Sequence, residues 1–129
     1  MSKVKDHDAR LGDIRIKRAH EPPSPDDGFR VLVDRIWPSG LSKAELELDA
    51  RTPEIAPSTE LRRWFGHDPQ KWDEFQARYW RELDANRAGV EALLELCRKP
   101  VVTLVFAAHD AEHSNARALQ AYLQRARSP

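Results

Sequence analysis

Three short stretches of the chain gather side chains able to do chemistry: Arg18 with His20, Asp34-Arg35-Ile36-Trp37-Pro38-Ser39-Gly40, and His109-Asp110-Ala111-Glu112-His113. A carboxylate such as Asp34 or Asp110 can take a proton from a hydroxyl or a water, and an imidazole such as His113 can relay one. These three are the candidate acid–base residues. The guanidinium groups of Arg18 and Arg35 suit an anion, which they can grip through paired N–H donors. Trp37 offers either a stacking surface or a plug for its own loop, and Gly40 allows a positive φ or a close backbone approach. A competing reading makes Asp34 and Arg35 an ion pair that anchors the Trp-Pro loop, since buried ion pairs imitate active sites.

His109 and His113 stand four residues apart, superficially like the H-E-x-x-H zinc motif with Asp110 in the acid position. His109 falls where a strand should end and no third ligand is evident, so no metal site is expected. The chain also lacks a glycine-rich phosphate loop, a G-x-S-x-G elbow and any Cys/His zinc spacing, and no cofactor is expected.

The elements that must position these groups follow from periodicity. Asp13 to Arg18 alternates apolar and charged residues and reads as a strand. Proline and aspartate then break the chain between Glu21 and Gly28. Phe29 to Val33 is a second strand and ends at the Asp34 loop. Leu41 to Pro57 reads as mostly irregular, with Ser42 able to cap a short helix. Ser58 caps a helix through Phe65, and Asp68-Pro69 opens another in which Trp72, Phe75, Tyr79 and Leu83 form one core-facing stripe. Asn86 caps a helix reaching Arg98, and Val101 to Ala107 is a strand apolar on both faces. Asp110 is then expected to cap a last helix, Ala111 to Arg125.

This order predicts an α/β fold: a small parallel or mixed sheet flanked by helices, three-layered and Rossmann-like, with the second and third strands side by side. If the strands are parallel, the three polar stretches share the rim at their carboxyl ends, where ligands bind in such sheets.

A length of 129 residues suits one core, taken as residues 11–127 behind a charged, mobile segment 1–10. Lys plus Arg and Asp plus Glu both total 21, so no global field draws the protein onto nucleic acid or an anionic membrane. Cys97 has no intrachain partner and sits in an apolar run, as a reduced core thiol would. No apolar run is long enough to span a bilayer, and a cytoplasmic location is expected.

The segments Ile16-Lys17-Arg18 and Asp26-Asp27-Gly28-Phe29-Arg30-Val31-Leu32-Val33-Asp34-Arg35-Ile36-Trp37-Pro38 resemble the YeaO-like family of bacterial proteins, the domain of unknown function 488. Trp64-Phe65-Gly66-His67-Asp68-Pro69 and the tail from Ala107 to Ala116 extend the resemblance over nearly the whole chain. It implies a small α/β domain and brings no established reaction. The chain departs from the family motif at Ser39, His109 and Ser114, where relatives carry Arg, Lys and Asn, and Asn115 is placed to replace the missing amide. The resulting expectation is an enzyme or binding protein for a small anionic ligand of the nucleotide or sugar-phosphate class, N-glycosidic bond chemistry being one option. The alternative is a noncatalytic interaction module that presents Trp64 and Trp80 and uses its ion pairs structurally.

Overall fold

The structure, a computed structural model, describes residues 11–126; the segment 1–10, expected to be mobile, lies outside that range. Four strands form the sheet: β1 (Asp13–Arg18), β2 (Phe29–Leu32), β3 (Ala50–Arg51) and β4 (Val101–Phe106). They run parallel in the order β1-β4-β2-β3. β4 therefore pairs along both edges, which explains why its text is apolar on both faces.

Five helices complete the fold: α1 (Lys43–Leu46), α2 (Thr59–Phe65), α3 (Trp72–Ala85), α4 (Arg87–Leu96) and α5 (Asn115–Ala126). The outer layers are unequal. On one face Ile14, Val31, Val102, Leu104 and Phe106 bury against α2 to α5, through Leu61, Phe75, Tyr79, Leu93 and Leu119. On the other, Leu32 and Val105 meet only Ala19 and Leu46 of α1, with Trp37, Leu41 and Leu48 at the margin. The expected stripe on α3 holds, with Phe75, Tyr79 and Leu83 buried and the Tyr79 hydroxyl donating to the Ile55 carbonyl at 2.7 Å. Cys97 is buried in the larger cluster, and burial pushes its thiol up to about 11.

Local expectations failed where tertiary partners decide. The stretch from Leu41 to Pro57 is not mostly irregular. Ser42 and Glu45 form a reciprocal cap on α1, and Ala50–Arg51 adds a fourth strand beside Val31 and Leu32. Two residues of strand carry no detectable alternation, and only the edge offered by β2 makes them one. The last helix begins at Asn115, four residues later than expected. Asp110 caps a separate 3-10 turn, Ala111–His113, and Ser114 is extended. Ser114 is the true cap of α5: its hydroxyl accepts from the Arg117 amide at 3.1 Å and donates to the Ala111 carbonyl at 2.9 Å. Similarly, Asp68 caps a 3-10 turn, Pro69–Lys71, that leads into α3.

The crossover between β1 and β2 is stapled to the thinner side of the sheet through Asp27. Its carboxylate takes Lys17 of β1 at 3.1 Å and Arg30 of β2 at 2.7 Å, while its carbonyl accepts from Thr103 of β4 at 2.7 Å. Arg30 also donates to the Leu46 and Glu47 carbonyls, so it satisfies the end of α1 as well. Gly28 follows at φ 63° and ψ −130°, a conformation glycine tolerates, and a Cβ there would run into the Val101 carbonyl oxygen. Burial works against charge on Asp27, yet the Ser24 amide, Lys17 and Arg30 outweigh it and hold the carboxyl below its ordinary value. Arg30 is only 3% exposed, so Arg30→Ala leaves this carboxylate buried with one cation. The expected loss of about 3–5 kcal/mol is read from urea unfolding at neutral pH; a loss below about 1 kcal/mol would contradict the assigned role.

Candidate functional site

The register brings the strand ends level: Arg18 lies opposite Phe106, and Leu32 opposite Val105. Past these ends the chain must turn, and the turns enclose a cavity of about 730 Å³. That volume falls within the range of small-molecule sites. Its walls come from the loop after β2, the loop after β4, the turn before α5 and one side of α2.

Asp34 lies at the meeting point of these elements. Its Oδ2 accepts from the Ala107 amide at 2.9 Å and its Oδ1 from Asn115 Nδ2 at 3.1 Å. The clasp joins β2, β4 and α5. Burial pushes the Asp34 carboxyl above its ordinary value, against the pull of these two hydrogen bonds and of the Arg62 charge. Asp34 and Arg35 do not form the ion pair that their adjacency suggests. The Arg35 side chain turns to the Ala56 carbonyl at 3.4 Å and stays exposed.

Around the same cavity stand Arg62 and Arg63 of α2, which sequence reasoning passed over. Both are exposed, and only the packing of α2 beside the strand ends sets them on the border of the cavity. Among the described residues, Arg35, Arg62 and Arg63 have no carboxylate within ion-pair distance, as is also true of Arg18, Arg51, Arg81 and Arg125, whereas Arg15, Arg30, Arg78 and Arg117 do. A cavity bordered by three such guanidinium groups and by only two carboxylates, Asp34 and Asp110, attracts anions.

Asp110 and His113 pair within their turn, Oδ2 to Nδ1 at 2.7 Å, and the His113 ring lies edge-on to Trp72 with centroids 5.3 Å apart. The imidazole held against Asp110 lowers its carboxyl below the ordinary value. Trp37 is both plug and wall. Its indole N–H donates to the Leu41 carbonyl at 2.7 Å, Arg51 lies over its ring, and it still borders the cavity.

Of the residues singled out in the sequence, Asp34, Arg35, Trp37, Asp110, His113 and Asn115 border this cavity. Arg18 and Gly40 do not. Arg18 stands behind the rim, bonded to the Ala108 carbonyl at 3.3 Å and to His109 Nδ1 at 3.0 Å, so it positions the loop after β4. Gly40 turns the preceding loop at φ 79° with open space around it, so the positive φ and not a close approach requires glycine there. His109 is occupied by Arg18 and His113 by Asp110, and among the described residues no group of three or more metal-type ligands assembles. No helix among those residues is long and apolar enough to cross a membrane.

The three positions at which the resemblance led to expected departures, Ser39, His109 and Ser114, all border the cavity. Ser39 offers its carbonyl to His20 at 3.2 Å, and Ser114 caps α5. Asn115, one position on, supplies the amide to Asp34.

Comparison with known proteins gives a consistent result. Residues 13–128 match the family model described as "Inactive DUF488-N3 subclade". "Uncharacterized protein YeaO" of Escherichia coli (strain K12) is 35% identical over 111 residues, 86% of this chain and 96% of that protein. "Uncharacterized protein Rv3073c" of Mycobacterium tuberculosis (strain ATCC 25618 / H37Rv) is 43% identical over 106 residues, 82% of this chain and 89% of that protein. A protein of Mycobacterium bovis is similar to the same extent. No solved structure matches.

The raised position of the Asp34 carboxyl has a defined sign. The folded state holds this proton more tightly than the unfolded chain does, so between the ordinary carboxylate value and the raised one the contribution of Asp34 to stability falls as pH rises. Asp34→Asn cannot titrate, though its amide can accept only one of the two hydrogen bonds. Urea midpoints of both proteins from about pH 3.5 to 7 should show the wild type losing ground relative to the variant as pH rises. A gain by the wild type over that window would reverse the assignment.

Proposed function

The chain belongs to the YeaO-like family, the domain of unknown function 488, its match falling on an inactive subclade, and we propose accordingly that its cavity binds a small anionic ligand without transforming it. The observation that carries this reading is the trio of unpaired guanidinium groups, Arg35, Arg62 and Arg63, bordering one cavity at the carboxyl ends of parallel strands. Guanidinium forks onto phosphate or carboxylate oxygens give strong, oriented hydrogen bonds, and a low-dielectric wall strengthens them. Nucleotides and sugar phosphates are the ligand classes that fit this charge and volume. The positive charge missing at Ser39 and His109 is supplied from another element, α2, so an anion site survives those departures.

The absence of turnover rests on the engagement of the polar groups and on the description of the subclade. Both Asp34 oxygens already accept a hydrogen bond, and the His113 imidazole that borders the same cavity is paired with the exposed Asp110. One observation favours the chemical alternative: burial keeps Asp34 easier to protonate, as a proton donor at an N-glycosidic bond would need to be. The interaction-module alternative draws less support, because Trp64 is already covered by Arg78 and Lys71, and the indole N–H of Trp80 bonds to the Ala118 carbonyl.

Isothermal titration at low ionic strength with inorganic phosphate, ribose 5-phosphate and adenosine 5'-monophosphate tests the reading. Binding to the wild type is expected, weakened about tenfold or more by Arg62→Ala, Arg63→Ala or Arg35→Ala. The three arginines are exposed, so their unfolding free energies should stay within about 0.5 kcal/mol of wild type. A large loss of stability in Arg35→Ala would favour the structural role. Release of adenine that disappears in Asp34→Asn would replace binding by catalysis.

A further inference from the structure

We propose that the ligand carries its anionic group on an aromatic body, and that Ile36 is the side chain that selects for that body. The inference rests on the anion-binding reading above and narrows it to one kind of ligand.

Ile36 is the exposed large hydrophobic side chain among the described residues, 59% accessible, although the core has taken nearly every other one. It is not stranded on a bare surface: it borders the cavity, between Arg35 and Trp37 in the loop after β2. A branched aliphatic side chain left in water beside an ion-binding wall gains nothing in the empty protein. Cover by an apolar ligand surface would remove that exposure.

Elsewhere the wall is apolar but covered: Phe65 and Phe75, both nearly buried, stack with centroids 4.3 Å apart and border the cavity. Pro38 and Pro57, both buried, also border it. Inorganic phosphate would satisfy the guanidinium groups and leave Ile36 wet. A sugar phosphate would do the same with hydroxyls facing Ile36. A phosphate monoester of an aromatic group satisfies both sets, its charge on Arg35, Arg62 and Arg63 and its ring against Ile36.

Phenyl phosphate and ribose 5-phosphate separate the two terms, because they carry the same charged group on an aromatic and on a polar body. Titrated calorimetrically into the wild type, phenyl phosphate should bind about tenfold tighter than ribose 5-phosphate, the effect of burying roughly two methylene-sized pieces of apolar surface. Ile36→Ser, at an exposed position that does not hold the fold, should bring the two within about threefold by weakening phenyl phosphate alone. Equal affinities in the wild type, or equal weakening of both probes in Ile36→Ser, would overturn the selectivity and leave anion binding intact. Failure of both probes and of inorganic phosphate to bind would overturn the anion site itself.

Discussion

The buried carboxylate of Asp27 holds the fold together. Lys17, Arg30 and Thr103, one from each long strand, converge on this residue. The crossover from β1 to β2 is thereby fixed against one face of the sheet while the two strands stay parallel. A slot one strand wide opens between them, and β4 fills it. A carboxylate with two cations in so dry a place is costly to break: loss of Asp27 would leave both cations without it, and loss of Arg30 would leave the carboxylate with Lys17 alone. The same arginine that answers Asp27 closes the end of α1, so the thin outer layer depends on the pair as well.

With β4 between β1 and β2, all three carboxyl ends reach one level, and the turns that follow must meet. Asp34 joins them. It ties the end of β2 to the first amide beyond β4 and to the first residue of α5. The break at Ser114 makes this geometry possible: a helix running unbroken from Ala111 would carry Asn115 on its second turn instead of presenting it at the helix start. Ser114 as the cap and Asn115 as the first helical residue are thus one structural arrangement, a helix start that sets an amide on the Asp34 carboxylate.

At the rim, His109 is bonded to Arg18, which stands behind the wall. The guanidinium groups that border the cavity come from the loop after β2 and from α2, and the Arg62 charge reaches Asp34.

Much of the fold was legible in the sequence because its signals are local. The alternation of Ile14 and Ile16, the doubly apolar Val101 to Phe106, the stripe from Phe75 to Leu83 and the caps Ser42, Ser58 and Asn86 each state a preference that short-range sterics and hydrogen bonding can express alone. From these the α/β class, the parallel neighbours β2 and β4, and the rim containing Asp34, Arg35, Asp110 and His113 all followed. Only the tertiary structure decided the rest. Ala50–Arg51 is a strand because β2 had an open edge; Asp34 binds Asn115 and not Arg35 because α5 arrives there. Arg62 and Arg63 border the cavity because α2 packs beside the strand ends, while Arg18 is used up behind it. Which partner a polar side chain finds depends on elements distant along the chain, and no spacing within one segment encodes that distance.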